Sequence, residues 1–104
     1  MKQEKIPGGQ AGGEASAELL LLDRAPIGMP CIVRHVNTPA HAPEWGRWLD
    51  ELGFVDGERV VIMSRAVLGG DPLVVRVGHS TFALRKAEAA CVQVSKLTLQ
   101  EVLA

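Results

Sequence analysis

The run Gly78-His79-Ser80-Thr81-Phe82 sets a hydroxyl beside an imidazole just after a glycine, in the manner of a turn that presents a nucleophilic serine. That chemistry needs a second glycine where Phe82 stands, and a strand-turn-helix context inside a much larger sheet. The segment therefore reads as a polar turn in which Ser80 and Thr81 bond local backbone. Gly8 and Gly13 have the spacing of the two glycines of a phosphate loop. Glu14 and Ala15 occupy the places of its lysine and hydroxyl residue, so an incoming phosphate would meet a carboxylate. Nucleotide binding is not expected. His35, His41 and His79 are the only imidazoles, and they do not assemble with Cys or Glu into a set of several metal ligands. Cys31 and Cys91 form no Cys-x-x-Cys pair, and they read as two reduced thiols acting as small buried hydrophobes. No catalytic residue is assigned, and the chain is not expected to be an enzyme.

With 104 residues, 47% hydrophobic and 22% charged, the chain has room for one core. Its formal charge of -1 lacks the basic excess that nucleic acid or an anionic membrane surface would require, so neither is expected as a partner. Apolar runs such as residues 19–22 and 60–63 are four residues long, far short of the roughly 20 needed to cross a bilayer. Glycines and Glu14 follow Lys2 and Lys5 where a secretory leader would need an apolar stretch, so the chain reads as cytoplasmic, without membrane insertion. Residues 1–18 carry Gly8, Gly9, Gly12 and Gly13 with Pro7 beside them and are expected to be a disordered leader. Residues 19–104 are expected to fold as one domain.

Within that body, residues 31–36 form a short β-prone run and give the first expected strand. Trp45, Trp48, Leu49 and Leu52 fall at i, i+3, i+4 and i+7, with Glu44, Arg47, Asp50 and Glu51 on the other side. This spacing predicts a helix over 43–52, opened by Pro43 and ended by Gly53, with Phe54 folding back on it. Further strands are expected over 58–66, 73–77, 79–84 and 91–95, with Asp56-Gly57 and Gly69-Gly70-Asp71-Pro72 as turns. Residues 86–90 suffice for one helical turn, and 97–103 for a short amphipathic turn or a strand extension. Five short strands and one helix leave no residues for parallel crossovers, each of which takes a dozen or more. The fold class is therefore mainly β: a small antiparallel barrel with one short helix inserted after the first strand.

Three blocks in order, Leu49-Asp50-Glu51-Leu52-Gly53-Phe54-Val55-Asp56-Gly57-Glu58, Arg65-Ala66-Val67-Leu68-Gly69-Gly70-Asp71-Pro72, and Phe82-Ala83-Leu84-Arg85-Lys86-Ala87-Glu88-Ala89 followed by Val92-Gln93-Val94, resemble the FeoA family. The resemblance implies an SH3-like barrel and an accessory protein of ferrous-iron uptake. It also implies a partner, the FeoB membrane transporter with its GTPase domain, and leaves room for a weak homo-oligomer. Any GTPase belongs to the partner. Ferrous iron would want several His or carboxylate ligands with open positions, and no such set assembles from the sequence. No cofactor or metal site is expected, and a transition metal at an exposed His would be adventitious. The alternative is the SH3-like regulatory domain of metal-dependent transcriptional repressors, disfavoured because the chain has no room for a DNA-reading helical domain.

The residues expected to carry function are apolar groups that folding does not require. Trp45, Trp48, Phe54, Val67 and Leu68 are the candidates for partner binding, with the two tryptophans also suited to cover a barrel end. Arg85 is expected to brace the turn before the closing strand through backbone carbonyls.

Overall fold

A computed structural model of the protein describes residues 18–103. Apart from Glu18, the expected leader lies outside the described residues. Six strands form one antiparallel sheet: β1 Leu19–Leu21, β2 Cys31–Val36, β3 Arg59–Arg65, β4 Leu73–Val77, β5 Ser80–Leu84 and β6 Val92–Lys96, ordered β1-β6-β2-β3-β4-β5. The expected strands over 31–36, 58–66, 73–77, 79–84 and 91–95 lie within one residue of these. β1 was not foreseen, because four leucines in a row carry no period that separates strand from helix. It pairs with the closing strand, Leu20 opposite Val94. The helix α1, Glu44–Leu52, therefore follows the second strand rather than the first.

Alternation decides which faces are buried. Leu73, Val75 and Val77 of β4 point inward, as do Val60 and Ile62 of β3 and Val92 and Val94 of β6, and all of them join Cys31, Val33, Leu49, Phe54 and Leu84 in one core. A single sheet can surround one core only by bending. Register breaks between Val33 and His35 and between Ile62 and Ser64 supply the bends. The backbone between β1 and β2 is a 3-10 turn over Leu22–Arg24, whose Leu22 is fully buried.

α1 ends as its sequence dictates. Gly53 sits at φ 113°, its N–H donates to Asp50 O at 3.0 Å, and the Phe54 N–H donates to Leu49 O at 3.0 Å. This left-handed cap turns the chain so that Phe54 drops into the core. Two short helices complete the fold: α2, Lys86–Ala89, and α3, Leu99–Leu103. Glu88 Oε1 accepts the Arg85 backbone N–H at 2.8 Å, and Asp71 Oδ1 accepts the Lys86 N–H at 3.0 Å, which satisfies two donors at the start of α2. α3 is the amphipathic turn among the two alternatives for the last residues.

Candidate interaction surface

The hairpin between β3 and β4 presents its tip to solvent. Val67 is 98% exposed and Leu68 is 89% exposed, and neither packs on the core. Gly69 and Gly70 follow at φ 76° and 70°, backbone that L side chains rarely adopt, so the two glycines make the reversal after the exposed aliphatics possible. The Ala66 N–H donates to Pro72 O at 3.0 Å and closes the hairpin below the tip. Burying two such groups releases water from apolar area at about 25 cal/mol per Å².

The same loop returns through Asp71 and Pro72 into a shallow groove that these two residues line with Trp48, Ala83, Arg85 and Glu88. Its lining thus combines an indole with a guanidinium and two carboxylates. Trp48 is half-buried: it packs on the core and still borders the groove. Trp45, one turn earlier, is likewise half-buried against the core, with its ring edge-on to His41 at 5.8 Å and 72°. Phe54 is corrected: at 1% exposure it is a core residue, drawn inward by the Gly53 cap, and offers no surface to a partner.

Arg85 is also corrected. Its side chain is exposed and among the described residues donates to no carbonyl; the contacts there are made by its backbone, whose N–H donates to Glu88 Oε1 and whose carbonyl accepts the Glu88 and Ala89 N–H groups. The arginine that braces a turn is Arg65, whose Nη2 donates to Asp23 O at 2.7 Å and to Ala25 O at 2.8 Å, tying the end of β3 to the 3-10 turn. A second arginine, Arg34, donates from Nε to Ser95 Oγ at 2.7 Å and from Nη2 to Glu101 Oε2. The sequence does hold a signal for this anchor: Thr98 and Glu101 are spaced as a capping box, and Thr98 Oγ1 accepts the Glu101 N–H while Glu101 Oε1 accepts the Thr98 N–H.

The groups that could do chemistry do not converge. His35, His41 and His79 are exposed on β2, on the loop before α1 and on the β4–β5 turn. Among the described residues no group of three or more His, Cys, Asp or Glu side chains could hold a metal ion. Burial pushes both thiols, Cys31 and Cys91, above the usual range, with the nearby Glu88 carboxylate adding to the effect at Cys91, so both are held in the protonated, weakly nucleophilic form. Ser80 and Thr81 are exposed on β5. Among the described residues no helix is long and apolar enough to cross a membrane.

A family model described as the FeoA domain matches residues 20–96. Among solved structures, the chain is similar to a Stenotrophomonas maltophilia FeoA complexed with zinc, at 39% identity over 72% of this chain and 88% of that one, TM-score 0.66. That protein is described as a prokaryotic SH3-domain protein and a candidate ferrous-iron transport activating factor. It is also similar to iron(II) transport protein A of Clostridium thermocellum, at 32% identity over 75% of this chain and 46% of that one, TM-score 0.67. A manganese-dependent transcriptional repressor shares the fold alone, at 17% identity over 78% of this chain and 43% of that one, TM-score 0.67. A comparison with curated protein sequences finds no match. The antiparallel sheet is therefore the SH3-like fold of these relatives.

Proposed function

The chain belongs to the FeoA family, and from that premise we propose that it is a cytoplasmic, non-enzymatic accessory of ferrous-iron uptake that works by docking on a cytosolic domain of a FeoB-type transporter. The docking face is the hairpin tip of Val67 and Leu68 together with the Trp48-lined groove at its base, and Trp45, one helical turn before Trp48, is taken as part of the same face. One observation carries the reading: two adjacent aliphatic side chains, 98% and 89% exposed, sit at the tip of a hairpin loop that reverses through two positive-φ glycines. Folding gains nothing from that arrangement, whereas a partner pocket would. Iron enters as the transporter's cargo and is not routed through this chain.

The test is co-purification with the soluble domain of the transporter, with and without a GTP analogue, comparing the native chain with Leu68→Asp and Trp45→Ala. Leu68→Asp is expected to abolish capture, because it places a charge in an apolar contact. Undiminished capture in both variants would remove this surface from consideration. The shared fold with metal-dependent repressors supplies the second reading, and retention of duplex DNA in a low-salt shift assay would favour it.

A further inference from the structure

β3 and β4 carry two arginines on the sheet face that points away from the core. Arg76 of β4 stands opposite Val61 of β3, and Arg59 precedes Val61 by two positions, which puts both guanidiniums on one face as diagonal neighbours. Both side chains are exposed. Between them runs a groove of about 310 Å³ lined by Pro30, Val61, Gly78 and Leu97 along with the two arginines. Among the described residues the ion pair formed is Arg34 with Glu101, and neither Arg59 nor Arg76 has a carboxylate within pairing distance. Glu58 stands at the Gly78 end, where its Oε1 takes up the Arg59 backbone N–H at 3.3 Å.

We propose that this groove docks an extended acidic segment of another protein, one in which carboxylates alternate with aliphatic side chains. Charge complementarity sets the first requirement. Two guanidiniums beside an apolar floor match carboxylates through paired N–H donors, and Val61, Pro30 and Leu97 match the intervening aliphatics. The backbone sets the second. β3 and β4 are interior to the sheet and spend their N–H groups on the ladder, so no cluster of free backbone donors converges as a phosphate cradle would need. A nucleic acid is disfavoured as well, because two arginines on a chain of formal charge -1 make no track along a phosphate backbone. The groove lies at the opposite end of the β3–β4 ladder from Val67 and Leu68, about 20 Å away along the strand. It is therefore a second surface, independent of the one proposed above.

The experiment is a fluorescence-anisotropy titration of the full chain into a labelled Glu-Leu-Asp-Leu-Glu peptide. The native chain is expected to bind saturably and to weaken as salt rises, since partly exposed pairs are screened. Arg59→Gln and Arg76→Gln are each expected to weaken binding about tenfold, and the double variant to lose it. Arg47→Gln on α1 and Leu68→Asp are expected to bind as the native chain does, so failure of the hairpin-tip reading and failure of this one are read separately. Thermal unfolding midpoints of the variants establish that all are folded. Absence of saturable binding by the native chain, equal binding of a Gln-Leu-Asn-Leu-Gln peptide, or undiminished binding by the double variant overturns the proposal. Displacement of the peptide by an equal concentration of inorganic phosphate also overturns it, by reducing the groove to a simple anion site.

Discussion

The Arg34 guanidinium on β2 donates to the Glu101 carboxylate on α3, 67 positions away in sequence, and through Nε to the fully buried Ser95 on β6. This side chain ties the last helix to β2 and β6 beside Ile32 and Ser95, which are paired across the two strands and buried although they lie outside the core cluster. The Thr98 backbone N–H, and then Arg34, hold the Glu101 carboxyl below the usual carboxylate range. Because the folded value is the lower one, this contribution to stability is present above an ordinary glutamate pKa of about 4.3 and is lost as pH falls through the folded value. Acid is therefore expected to free α3 before it unfolds the sheet. A carboxyl-detected NMR titration of Glu101 with amide exchange on α3 measures this. Arg34→Gln is expected to move the titration upward only in part, because the Thr98 N–H remains.

Arg65 makes the corresponding brace at the other end of the sheet. Its two bonds to Asp23 O and Ala25 O satisfy carbonyls of the 3-10 segment that follows β1. Arg65→Ala is expected to cost about 1.5–3 kcal/mol, the range for hydrogen bonds to a charged group. Urea unfolding reads the loss, and Arg65→Lys is expected to recover part of it, since an ammonium keeps the charge without the planar fork.

Which of these braces could be read from the chain follows from how far each interaction reaches. α1 was legible because its apolar stripe, proline start and glycine end are local and agree with one another. Five strands were legible for the same reason. β1 was not: Leu19, Leu20 and Leu21 become a strand only through pairing with residues more than 70 positions on. The reading of Phe54 as a docking residue failed because a ring after a helix-ending glycine can point either way in sequence, and only the Gly53 cap geometry sends it inward. Arg85 and Arg65 are both arginines near turns, and nothing local says which one finds carbonyls within reach. Val67 and Leu68 were legible as tip residues because the Gly69-Gly70 pair marks the reversal.

Gly46 has no special dihedral and is required for another reason. A Cβ there would collide with Thr38 Oγ1 and crowd the Thr38 Cβ at 3.2 Å, because the loop after β2 lies directly on the first turns of α1. Helix propensity favours alanine over glycine by about 1 kcal/mol. Overpacking against a held loop costs about 1–3 kcal/mol and outweighs it. Gly46→Ala is therefore expected to destabilise. Adding Thr38→Ala removes the hydroxyl and methyl that obstruct the new Cβ, so the double variant is expected to be more stable than Gly46→Ala alone. A double-mutant cycle by thermal unfolding measures that coupling.

Phe54 and Leu68 form the sharpest contrast between folding and docking. Phe54 is 1% exposed inside the core, while Leu68 is 89% exposed at the hairpin tip. Phe54→Ala removes a buried ring and leaves a cavity, and is expected to cost about 3–5 kcal/mol. A domain of this size has about 5–15 kcal/mol in total, so the variant is expected to unfold well below the native midpoint. Leu68→Asp touches no core residue and is expected to shift stability by less than about 0.5 kcal/mol. If the hairpin tip is a docking element, the two variants separate cleanly. Phe54→Ala loses transporter capture only in proportion to the fraction unfolded, whereas Leu68→Asp loses it with an unchanged unfolding curve. Chemical denaturation run beside the capture assay on the same preparations decides the matter, and a Leu68→Asp chain that is both fully stable and fully captured would leave the exposed aliphatics without a role in binding.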